Sequence, residues 1–175
     1  GLQLFRGGLK TGLSTGVEGM DDIFKVRPSE VTIVSGVPNC GKSEFIDAIS
    51  VNMAKDHDYR FAMCSFENPV SDHLNKLAEK YVGKTTRKDT YADQMDEEEL
   101  LDAYDWIAQH FFFVRAEDES PTIDWCIQAL ISSVLRYGVN ACILDPYNEF
   151  DHQRPSGMTE TEYVSQMMSK IKRFA

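Results

Sequence analysis

The stretch Gly36-Val37-Pro38-Asn39-Cys40-Gly41-Lys42-Ser43 matches the pattern G-x-x-x-x-G-K-[ST], and its reading decides the fold. Such a loop turns backbone N–H groups inward around phosphate oxygens. Lys42 would reach the β- and γ-phosphates, and the Ser43 hydroxyl would hold Mg²⁺. The flanks matter as much as the string. Before it, Val31-Thr32-Ile33-Val34-Ser35 is a short β-branched run that predicts a buried strand. After it, Phe45, Ile46, Ile49 and Met53 recur at helical spacing. The loop then sits between a strand and a helix start, where the helix dipole adds to anion binding. Residues 36–44, with Val37, Pro38, Asn39, Cys40 and Glu44 among them, form the expected binding segment for ATP or another nucleoside triphosphate with Mg²⁺. A Gly-rich turn matching by accident is the competing reading, and both flanks weigh against it.

Outward from this loop, strands and helices alternate. Residues 1–28 are Gly-rich and mixed and read as an arm or linker, with a turn of helix near Val17–Phe24. Residues 29–175 read as one α/β core. Arg60–Ser65 predicts a second strand. Asn68-Pro69 starts a helix with Val70, Leu74, Leu77, Ala78 and Tyr81 on one face. Residues 83–95 are polar and loop-like. A helix at about 96–109 should turn Leu100, Leu101, Tyr104 and Ile107 inward, with Asp96 to Glu99 complementing its N-terminal dipole. Phe111–Val114 is a third strand. Ser120-Pro121 caps a long helix carrying Ile123, Ile127, Leu130, Ile131 and Val134, which Gly138 stops. Asn140–Leu144 is a fourth strand ending at Asp145-Pro146. A last helix starts at Thr159, with Glu162 completing a capping box. This alternation implies a mainly parallel sheet flanked by helices.

Composition sets outer bounds. The 28 acidic and 18 basic residues give a net charge of -10, which argues against a broad nucleic-acid-coating surface but leaves room for a few basic loops. No run of about 18 apolar residues is present to span a membrane, and no secretory signal is visible. Cys40, Cys64, Cys126 and Cys142 show no C-x-x-C spacing, and Cys64 and Cys142 lie in apolar runs as expected buried thiols. That usage predicts neither disulfides nor a zinc site, and an intracellular, reducing compartment: a bacterial or phage-infected cytoplasm, or an organelle matrix.

Hydrolysis at such a loop needs an acid beside the metal and a base for the attacking water. Ala141-Cys142-Ile143-Leu144-Asp145 is an apolar strand ending in a carboxylate, so Asp145 is the expected Walker B acid and, with Ser43, the expected Mg²⁺ holder. Many ATPases carry a Glu directly after that Asp, but Pro146 stands here. The base must come from elsewhere. Glu67, in Cys64-Ser65-Phe66-Glu67-Asn68-Pro69, stands at a strand's carboxyl end, the side where open α/β sheets bind ligands. It is the expected catalytic base; a helix-flanking Glu is the alternative, and Glu149 is the reserve candidate. His57, His73 and His110 receive no role.

These features together resemble the RecA-fold ring helicases of replication, the DnaB-type superfamily. The likeness is greatest to the Twinkle-type and phage primase-helicase branch. The residues that carry it are the P-loop, the Ser65-Phe66-Glu67 strand end, and Asp145-Pro146-Tyr147-Asn148-Glu149-Phe150-Asp151-His152-Gln153-Arg154-Pro155 with the helix from Thr159. The resemblance covers about residues 13–175 and implies a DNA helicase core coupling ATP hydrolysis to translocation on single-stranded DNA as a homo-hexameric ring. It also implies that the loop at about 147–158 faces the central channel. There Gln153 and Arg154 can meet phosphates, Tyr147 and His152 can stack on bases, and Asn148 lies alongside.

The same resemblance implies a further strand between the P-loop strand and the Walker B strand, a second DNA loop and an arginine finger, all beyond Ala175. The core is therefore expected to be truncated at its C-terminus, with an unfilled position in its sheet. Alone, it is expected to bind nucleotide weakly and hydrolyse it poorly. Two other readings stay open: a RecA- or KaiC-type ATPase, which Thr15-Gly16-Val17-Glu18-Gly19-Met20-Asp21-Asp22 also resembles, and a non-catalytic nucleotide-binding module.

Overall fold

Phe61-Ala62-Met63-Cys64-Ser65 alternates its side chains between two apolar layers, and that makes it the central strand. The computed structural model describes residues 12–65, 69–88, 93–115, 121–145 and 157–175. In chain order the elements are α1 (Lys42–His57), β1 (Phe61–Ser65), α2 (Val70–Val82), α3 (Glu97–His110), β2 (Phe111–Phe113), α4 (Ile123–Tyr137), β3 (Ala141–Asp145) and α5 (Glu160–Phe174). The three strands are parallel in the order β2-β1-β3.

One sheet face sends Phe61, Met63 and Phe111 into a core with Ile49, Val51 and Met53 of α1, Leu77 and Ala78 of α2, and Ala103 and Ile107 of α3. The other face puts Ala62 and Cys64 against Leu130 of α4, with Phe112, Cys142, Leu144 and Phe174 packed around them. A parallel sheet covered on both faces in this way is apolar throughout its strands, as β1 is. In register, Ser65 stands opposite Asp145, so β1 and β3 leave the sheet at the same height.

Helix ends follow local chemistry. Asp96 and Glu99 form a capping box at α3, and Thr159 and Glu162 form the expected one at α5. Gly83 and Gly138 end α2 and α4 in the left-handed conformation. Lys170 of α5 reaches Asp124 of α4 at 2.7 Å and ties the outer layer together. Residues 13–26 fold back on the core: Leu13 and Val26 pair in an antiparallel bridge, and Asn52 of α1 donates to the Thr15 carbonyl (3.2 Å).

Several expectations change. Val31–Ser35 is not a strand: residues 30–36 carry neither helix nor strand, and Ile33 is 70% exposed. A strand needs a partner edge, and among the described residues none pairs with this run or with the outer side of β3. Val17–Phe24 is a run of hydrogen-bonded turns that includes the expected single helical turn, closed by the Phe24 N–H on the Met20 carbonyl at 2.8 Å. The N-cap of α4 is Thr122, whose hydroxyl accepts from the Trp125 N–H, and Ser120 lies outside the described residues. Leu101 is 57% exposed and Ala103 is buried in its stead, because Leu100, Ala103, Tyr104 and Ile107 define the inward stripe of α3. Val134 of α4 and Phe45 of α1 also face outward.

Candidate functional site

The Gly-rich loop and the first turn of α1 form the core of the site. Gly41 is the residue before α1 and adopts φ 83°, while Asn39 adopts φ 60°. Both are left-handed, a conformation Gly accepts freely and Asn better than most residues. At Gly36 a Cβ would lie 2.9 Å from Cys40 Sγ, so a larger residue there would require the Cys40 side chain to turn away. The Lys42 ammonium folds back over the loop and donates to the carbonyls of Gly36 (3.2 Å) and Val37 (3.0 Å).

One residue on, the Ser43 hydroxyl donates to Asp145 Oδ2 at 2.6 Å. This single bond joins residues far apart in the chain, the start of α1 and the carboxyl end of β3. It brings together two residues that the sequence expectation paired. Glu44, placed by sequence in the binding segment, sends its side chain elsewhere. It accepts from Lys76 (3.0 Å) and from Lys80, both on α2. The Lys80 contact, with Lys76 second, holds the Glu44 carboxyl below the usual range, and Glu44 raises Lys76 in return.

A further polar pair lies one turn beyond. His73 of α2 contacts Asp47 of α1 at 2.9 Å between Nε2 and Oδ1, with both residues buried. An ionised carboxylate only accepts, so the imidazole is the donor. The same ring meets Phe113 of β2 edge-on, centroids 5.4 Å apart. Sequence reasoning missed this pair. The available signal was an acid at 47 flanked by Ile46, Ile49 and Val51 on the apolar side of a predicted helix. The other two histidines among the described residues are structural. His57 contacts the Ser14 carbonyl, and His110 bridges the Trp106 carbonyl and Asp58.

Glu67, Tyr147, Asn148, Glu149, His152, Gln153 and Arg154 lie outside the described residues. The four cysteines are free thiols. Cys64 is buried, as expected, whereas Cys142 is only half-buried; burial pushes the Cys142 thiol up to about 11. Contact with Cys126, then burial, pushes Cys64 up as well, so both are apolar packing groups at neutral pH.

A parallel sheet between helical layers, with a Gly-rich loop-to-helix junction bonded to a strand's carboxyl end, defines a RecA-like α/β domain. The DnaB-like helicase C terminal domain model matches residues 12–175, and the chain belongs to that family. The expected likeness to Twinkle-type enzymes holds too. The Twinkle homolog protein, chloroplastic/mitochondrial, of Arabidopsis thaliana is 45% identical over 172 residues, 96% of this chain and 24% of that protein. The chain thus spans about a quarter of that relative's length. Among the described residues, no helix is long and apolar enough to cross a membrane.

Proposed function

We propose that the chain is the nucleotide-hydrolysing core of a replicative-type DNA helicase, which couples ATP hydrolysis to movement along single-stranded DNA as a hexameric ring. The observation that carries this reading is the Ser43–Asp145 hydrogen bond, 2.6 Å across the mouth of the Gly-rich loop. A hydroxyl and a carboxylate are hard oxygen donors, the kind Mg²⁺ takes together with phosphate oxygens and water. The donor set therefore fits the metal–nucleotide pair, with Ser43 and Asp145 as its protein holders.

Residues 36–44 supply the phosphate cradle in this reading. Left-handed Asn39 and Gly41 turn successive N–H groups inward, and the start of α1 adds its dipole. The Lys42 ammonium, now on two neutral carbonyls, exchanges them for charged phosphate oxygens, a stronger partner. ATP with Mg²⁺ supplies the scissile phosphoanhydride and the cation that offsets charge on its β- and γ-oxygens. Glu67, two residues past the end of β1, is the base for the attacking water. Asp145 keeps Ser43 Oγ in place, and the 147–158 loop meets single-stranded DNA through Tyr147, Asn148, His152, Gln153 and Arg154. The organelle matrix is the proposed location, because the plant relative carries the chloroplastic/mitochondrial designation.

The test is ATP turnover with and without single-stranded DNA in the full-length protein. Lys42→Ala should lower turnover roughly 100-fold or more, as loss of a preorganised charge contact does. Arg154→Ala should leave basal turnover intact and remove the stimulation by DNA. Unchanged turnover in Lys42→Ala would overturn the reading.

A further inference from the structure

The Asp47–His73 pair takes no part in the chemistry above, yet it is the most deeply buried acid–imidazole contact among the described residues. The Asp47 and His73 side chains are 5% and 11% exposed. A carboxylate is kept in such a place only when it is paired, because stripping its water without a partner is costly. Its position on α1 is informative. Asp47 follows Ser43 by four residues, so the two share one side of the helix, about 5–6 Å apart. Whatever fixes Asp47 therefore fixes the rotation of α1 about its own axis at the turn where Ser43 Oγ must meet Asp145.

His73 is suited to do this. It is held from both sides, by Asp47 on α1 and by the edge-on Phe113 ring on β2. Glu44, with Lys76 and Lys80, adds a second link between α1 and α2 on a neighbouring side, but its side chain is 49% exposed and its contacts are solvent-screened. The buried pair is the stiffer of the two.

We propose that Asp47 and His73 are positioning residues for the metal-holding pair: their bond sets the roll of α1 and so keeps the Ser43 hydroxyl on Asp145. This rests on the reading of Ser43 and Asp145 as the Mg²⁺ holders. It separates two parts of nucleotide affinity. Phosphate is held by N–H groups of the loop ahead of α1 and by the long, adaptable Lys42 side chain, which depend little on the roll of α1. The Mg²⁺-dependent part, through the short Ser43 side chain, depends on it strongly.

Binding of ATP, measured by calorimetry in excess Mg²⁺ and again in EDTA, tests the proposal. His73→Phe keeps a ring against Phe113 and removes the donor. It should weaken binding about 10-fold in Mg²⁺, the lower end for losing a group that orients a metal ligand, and leave binding in EDTA unchanged. His73→Gln, which restores an N–H donor near the Nε2 position, should recover the Mg²⁺ response. Far-UV circular dichroism checks folding, and if His73→Phe does not fold, Asp47→Ala must show the same Mg²⁺-selective loss. Equal weakening in both buffers, no weakening in either, or no recovery in His73→Gln overturns the proposal. Ser43→Ala distinguishes the two layers of the argument. If Ser43→Ala abolishes the Mg²⁺ response and His73→Phe does not, the positioning role alone falls. If Ser43→Ala retains it, the reading of the site falls as well.

Discussion

Two apolar pentads meet opposite fates in this chain. Val31-Thr32-Ile33-Val34-Ser35 has the stronger β-propensity, with four β-branched residues, yet it is exposed and pairs with no strand among the described residues. Phe61-Ala62-Met63-Cys64-Ser65 has the weaker propensity, with Ala, Met and Cys at its centre, and it is the middle strand with four buried residues. The difference is the neighbours. β1 has β2 on one edge and β3 on the other, and a helical layer over each face. Among the described residues the earlier run has neither. Propensity describes what a pleated, half-buried surface accepts; partners decide whether that surface exists.

Amide hydrogen exchange on this chain should give the largest contrast. Amides of β1 should be protected by roughly a thousandfold or more relative to residues 31–35, since the first open only with the core and the second need no opening at all. Comparable protection would show that the early run finds a partner in solution and would break the comparison.

Truncation should follow the same division. Met63→Ala, at a site 1% exposed, should cost about 2–5 kcal/mol by denaturant unfolding. Ile33→Ala, at 70% exposure, should fall within about 0.5 kcal/mol of zero. A small effect of a different origin is expected for Glu44→Gln. The contacts with Lys80 and Lys76 lower the Glu44 pKa in the folded chain, so its contribution is complete above the ordinary carboxylate value and fades as pH falls through the lowered one. At pH 7 the variant should be less stable by a few tenths of a kcal/mol, a surface-like value for a half-exposed group. The gap should close when unfolding is followed below about pH 4. A gap that widened in acid would reverse the sign assigned to those contacts.

What could be read from the sequence divides along the same line. The strands at 61–65 and 141–145 and the helices from 70, 97, 123 and 160 were legible because capping residues, stop glycines and apolar periodicity are local. The Ser43–Asp145 meeting was legible although long-range, because each residue is marked by its own local pattern, a Gly-Lys-Ser end and an apolar run ending in Asp. Asp47–His73 had no such marks. Its partners belong to different helices, and only the packing of α1 on α2 shows that they meet. Leu101 was misplaced because two adjacent leucines cannot share one stripe, and periodicity alone did not say which would turn outward. The 31–35 run was misplaced because strand formation is a property of a pair.

Parallel pairing of Ser65 with Asp145 makes the sheet a measuring scale for the site. Each residue of strand advances the chain by about 3.3 Å and turns the next side chain to the opposite face. A one-residue deletion within β1 would therefore do two things at once. It would draw the end of β1 back by that step relative to Asp145, and it would send Met63 and Cys64 to each other's layers. The height at which β1 leaves the sheet beside Asp145 is thus counted in whole residues, and the hydrophobic core enforces the count.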